Sequence, residues 1–161
     1  WTAPSQDKMP GASGAPAGGT LGALENLLTR AGIMPVNAPA SLSKNPFGNG
    51  AAYKWETDSL VGLWAQRKGV DDFNTAVSDA LARLKSVCKG EFAASNASSG
   101  SGLSAYDVAC IAGANSTSAA VVFYERGKNF YMMSHESVPD DMGKAMDARD
   151  AVVGALGQKD L

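Results

Sequence analysis

The chain holds only two cysteines, Cys88 and Cys110, and they bracket its clearest structural signal. From Asp72 to Cys88 the residues Phe73, Val77, Ala80, Leu81, Leu84 and Cys88 recur at helical spacing, which predicts one amphipathic helix ending in a cysteine. Asp71 or Asp72 stands where an N-cap belongs, Lys85 and Lys89 lie at the opposite end, and Gly90 supplies a stop. Glu91 to Gly102, rich in Ala, Ser and Asn, reads as a loop with Phe92 tucked beneath it. Ser104 to Ala112 then alternates as a strand, with Tyr106, Val108 and Cys110 on one face and Asp107 opposite. A Cys88–Cys110 disulfide clips this helix onto a sheet, and the rest of the chain packs around the clip. Closing a loop of roughly 22 residues stabilises the fold by about 3 kcal/mol through loop entropy.

The flanking segments supply the other elements. Thr20 can cap a helix through Ala31 with the stripe Leu21, Leu24, Leu27, Leu28, ended by Gly32. Ile33 to Pro39 is extended, and Ser41 to Gly50 reads as a loop. Tyr53, Trp55 and Thr57 alternate with polar neighbours as a strand, and Leu60 to Ala65 pairs back with it, Gly62 suggesting a bulge. Ala119–Glu125 and Asn129–Ser137 flank the turn Arg126-Gly127-Lys128; both are apolar on both faces, which predicts central strands of a sheet covered on two sides. Pro139-Asp140-Asp141 opens a last helix whose stripe runs Met142, Ala145, Met146, Arg149, Val152, Val153, Leu156, with Gly157 as its end. Arg149 interrupts that stripe and reaches past the core to a carboxylate. The sum is an α+β chain: a single antiparallel sheet packed by helices, residues 20–161, preceded by an extended arm, residues 1–19.

That arm is Pro, Gly, Ala and Ser with almost no large apolar side chain after Trp1. It buries too little surface to offset its ordering entropy alone. It is either a disordered tail or an arm lying along a partner, with Trp1 and Met9 as anchors. Trp55 reads as core. Trp64 is the candidate partner anchor within the domain, since aromatic residues concentrate where binding energy does.

Charge is sparse, 19% of residues, and the net charge of −2 provides no basic footprint for nucleic acid or an anionic membrane. No run approaches the roughly 18 apolar residues that span a bilayer. The chain begins at Trp1 without Met, which is what cleavage of a signal peptide leaves, and the disulfide spacing agrees with a periplasmic or secreted protein. Asn96-Ala97-Ser98 and Asn115-Ser116-Thr117 match the glycosylation pattern, a chance occurrence in a chain this rich in Ser and Asn.

The chemical equipment is thin. His135 is the only histidine, which removes His-pair zinc sites and His-based facial triads. Ser134-His135-Glu136 is not a triad, because neighbours on a strand face opposite ways. A Cys–His pair requires reduced thiols. Met133 and His135 share a face, as a copper(I) site would want, with Tyr131 beside them. Gly48-Asn49-Gly50 and Gly100-Ser101-Gly102 lack phosphate-cradle context and read as turns. Asp71-Asp72 and Asp140-Asp141 are accounted for by capping. Nothing in the spacing of the 16 acidic residues recommends a catalytic pair.

The strand pair Ala119–Ser137 followed by the helix Asp141–Leu156 resembles, in topology, the Mog1/PsbP-like class of α+β domains. That resemblance implies a non-catalytic accessory protein. By type, an exported, Ala-rich, disulfide-bearing small chain with a Pro/Gly arm also looks like the third, cofactor-free subunit of membrane-bound quinohaemoprotein alcohol dehydrogenases of acetic acid bacteria. This second resemblance implies stabilisation of a large periplasmic dehydrogenase subunit. The expectation is a non-enzymatic accessory subunit, without cofactor or metal, that binds a larger periplasmic protein. The alternative is a small-ligand or metal-binding module using Tyr131, Met133 and His135.

Overall fold

The computed structural model describes residues 21–33, 35, 41–42, 45–47, 50–137 and 141–157. The arm with Trp1 and Met9, Thr20 and most of Ile33–Pro39 lie outside the described residues. The elements of the described residues in chain order are α1 (Leu21–Ala31), β1 (Ser41–Leu42), β2 (Ala52–Glu56), β3 (Leu60–Arg67), α2 (Phe73–Val87), β4 (Glu91–Gly100), β5 (Leu103–Ile111), β6 (Thr117–Arg126), β7 (Asn129–Ser137) and α3 (Met142–Leu156), with a 3-10 turn at Gly113–Asn115. The strands form one sheet in the order β1-β2-β3-β7-β6-β5-β4. Every neighbouring pair is antiparallel. The fold is α+β, as the hydrophobic patterning indicates.

β6 and β7 occupy the middle because their side chains are apolar on both faces. One face, carrying Trp55, Trp64, Val122, Tyr124 and Met133, is covered by α1 and α3 through Leu24, Leu28 and Val152. The other face, carrying Val121, Phe123, Phe130 and Met132, is covered by α2 through Ala76, Val77 and Ala80. Phe123 and Phe130 stack at 5.7 Å, with Phe47 and Phe73 closing on Phe130.

The helix termini follow from local chemistry. Asp72 caps α2, its carboxylate accepting from the Asn74 amide at 3.1 Å and the Thr75 hydroxyl at 2.8 Å. Those hydrogen bonds hold its pKa below the ordinary carboxylate value. Asp141 caps α3 by accepting from the Gly143 amide at 3.0 Å. Gly32 ends α1 at φ +75, a conformation that only glycine adopts without strain.

Four expectations require correction. Glu91–Gly100 is a ten-residue strand, not a loop. Ala, Ser and Asn have weak strand propensity and almost every side chain there is exposed, so no alternation marks it; pairing with β5 makes it a strand. Gly62 is no bulge: the register runs Trp55↔Gly62↔His135↔Ala120 without interruption. The Trp55 indole lies across Gly62, where a Cβ would stand 2.2 Å from the ring. α2 ends at Val87 with Cys88 as its C-cap, before Gly90. Ser41–Leu42, read as loop, adds a short strand against Lys54 and Tyr53.

Candidate docking surface

Cys88 and Cys110 form the disulfide, joining the C-cap of α2 to β5. Phe92 of β4 pairs with Cys110 in the ladder, so the bridge lies beside the edge hairpin as well. At Gly90 the backbone passes so close to β5 that a Cβ would stand 2.1 Å from the Ile111 carbonyl oxygen.

Trp64 is not a surface anchor. It is 1% exposed, stacks on Tyr131 at 5.2 Å and donates from Nε1 to the Tyr124 hydroxyl at 2.8 Å. β3 lies inside the sheet, not at its edge, and α1 and α3 cover this face, so a residue that reads as loop-proximal in sequence lies in the core. Burial pushes the Tyr124 phenol well above its usual range.

Tyr131, Met133 and His135 do share a face, and it is the same buried one. His135 Nδ1 lies 3.4 Å from the Ala120 carbonyl, which requires the proton on Nδ1 and leaves Nε2 as an acceptor without a protein partner. The Trp55 ring stands edge-on at 5.9 Å, and its Nε1 donor also has no partner. Desolvation lowers the His135 pKa to about 4, and the Arg149 charge adds to this. Arg149 is 2% exposed, yet well satisfied. It pairs with Asp107, donates to the Tyr106 carbonyl at 3.1 Å and to Asp150 at 3.0 and 3.1 Å. No group of three or more His, Cys, Asp or Glu among the described residues could hold a metal ion.

An open apolar surface lies on the other face, around the C-terminal half of α2. The first turns of that helix bury Ala76, Val77 and Ala80, but Leu81 and Leu84 are half-buried and Val87 is 70% exposed. Two grooves flank it. One, of about 390 Å³, runs past the disulfide between Leu84 and Val87 on the helix and Phe92, Val108 and Ala119 on the sheet. The second, of about 400 Å³, lies between Leu84 and Phe47, Leu63 and Met132, with Arg83 donating to the Pro46 carbonyl at its rim. Both are walled by Leu84 and Val87, so the end of α2 stands as an apolar ridge between two troughs. Val87 falls beside the periodic stripe of α2, which is the trace it leaves in the sequence. The grooves leave no sequence signal, because their walls come from segments far apart in the chain.

No protein-family model, curated protein or solved structure matches this chain. No helix among the described residues is long and apolar enough to cross a membrane.

Proposed function

We propose that this chain is a non-catalytic, exported accessory subunit that binds and stabilises a larger periplasmic protein through the face around the end of α2. The observation that carries the reading is the apolar ridge of Leu84 and Val87 between two open grooves, with Val87 70% exposed. An apolar side chain held in water on a ridge between two apolar grooves gains free energy when a partner covers it. The groups best suited to chemistry are engaged otherwise: both cysteines are in the disulfide, and the single histidine is neutral within the core.

The disulfide supports export, since oxidising compartments are where such bridges persist. A periplasmic address and a quinohaemoprotein dehydrogenase as partner rest on the second resemblance set out above and complete the proposal. Isolation from the native source followed by size-exclusion chromatography tests it. Co-elution with a larger subunit is expected; migration as a lone 16.5 kDa monomer overturns it. A Val87→Asp variant should keep its stability to within about 0.5 kcal/mol, as exposed substitutions do, and lose the partner.

A further inference from the structure

β4 is bonded on one side to β5, and among the described residues nothing pairs with its other side. Such an edge presents a row of unpaired backbone N–H and C=O groups. Natural edges are normally short, or carry lysine, proline or an inward-pointing charge. The opposite edge of this sheet is the two-residue β1. β4 is ten residues long, and after Glu91 it has neither charge nor proline through Gly100. Its one irregularity is a bulge between Asn96 and Ser98, where Asn96 Nδ2 reaches the Ala105 carbonyl at 3.3 Å. The regular stretch for pairing is therefore Glu91–Asn96.

We infer that Glu91–Asn96 receives an extended segment of another protein as an eighth strand, with large apolar side chains at alternate positions on the α2 side. This rests on the accessory reading above and names how the partner is held. An exposed ladder selects an extended backbone whatever its sequence. Side-chain volume selects the rest. On the α2 side β4 shows Phe92, then Ala94, whose ladder partner Val108 is floor to the first groove. An added strand lies about 4.8 Å beyond β4. Its large side chains lean across small Ala94 onto Phe92 and Val108, toward Leu84 and Val87. A second copy of the chain fits less well: symmetric pairing of Glu91–Asn96 sets Glu91 against Asn96, Phe92 against Ser95 and Ala93 against Ala94, so each copy brings only one large apolar side chain.

A library of random ten-residue peptides, displayed and selected against the oxidised full-length chain, tests this. Selected sequences should share large apolar residues at a period of two. The synthesised winner should slow amide exchange in Glu91–Asn96. Its affinity should fall at least tenfold when alternate amides of the peptide are N-methylated, a change that leaves the protein untouched. Ala94→Lys, at an exposed position, should abolish binding with circular dichroism unchanged. Failure to enrich any sequence, enrichment without the period, indifference to N-methylation, or a concentration-dependent dimer that protects β4 each overturns the inference. A co-purifying native partner that leaves β4 amides exchanging as in the free chain overturns this edge while the accessory reading stands. Peptide binding as described, with no partner in the native source, does the reverse.

Discussion

Gly62→Ala adds one methyl group to the interior of a sheet, and the structure sets its effect. The new Cβ would stand 2.2 Å from Trp55 Cε2 and Cζ2 and 2.7 Å from Nε1. Carbon atoms in contact lie about 3.5–4.0 Å apart, so ring or strand must move by more than about 1 Å. The strand is held by ladders on both sides, to β2 and β7. The indole is 3% exposed, with His135 at its edge. Overpacking of this kind costs about 2–3 kcal/mol, and the lost glycine freedom of the unfolded chain returns roughly 0.5 kcal/mol. The net loss is about 2 kcal/mol, a fall in Tm of roughly 4–8 °C. Urea denaturation should show the midpoint lowered by about 1 M with unchanged slope. Trp55→Leu is the companion variant. With the indole gone the alanine has room, so Gly62→Ala should be neutral or slightly stabilising in that background, a coupling of about 2 kcal/mol. A neutral Gly62→Ala in the parent, or a cycle additive to within about 0.5 kcal/mol, would refute the close packing of Trp55 on Gly62.

Three further outcomes follow from named contacts. Reduction, or Cys88→Ser with Cys110→Ser, should destabilise the fold by about 3 kcal/mol in urea titrations, and thiol titration of the unfolded, unreduced chain should find no free thiol. Asp107→Ala leaves the buried Arg149 guanidinium with only Asp150 and the Tyr106 carbonyl as partners and should cost about 2 kcal/mol, below the range for wholly buried pairs because Asp107 is 31% exposed. Arg149→Met should cost less, since Asp107 can hydrate, and calorimetry finding the reverse order sinks this account. His135 is neutral in the fold down to about pH 4, whereas the unfolded histidine protonates near 6.5. The unfolded state therefore binds the extra proton first, and stability is lost as pH falls from about 6.5 to about 4, by about 3 kcal/mol in all. His135→Gln should flatten this part of the stability–pH profile.

Much of the architecture was legible because hydrophobic periodicity reports burial directly. The stripe of α2, the two-faced apolar strands β6 and β7, and the capping pairs Asp71-Asp72 and Asp140-Asp141, of which Asp72 and Asp141 are the caps, are each local patterns whose physics is complete within a few residues. The reach of Arg149 to a carboxylate was legible too, because a cation in an apolar stripe must find one. β4 was not, since a strand exposed on both faces has no alternation to display. Trp64 was misassigned for a related reason: an aromatic ring carries the same local signature in a core and on an interface, and only the covering helices decide which it is.

The amino-acid sequence by itself determined the α+β class, the helix that leads into Cys88, the strand that carries Cys110, and through them the bridge between the two. Only the tertiary structure decided which surfaces the folded domain leaves open. It placed Trp64 and His135 under α1 and α3 and let the Trp55 ring lie over Gly62. Among the described residues it also left the end of α2 and the outer side of β4 uncovered. The physical reason is that burial belongs to a position in three dimensions: periodicity states which face of an element is apolar, and only packing states what that face meets.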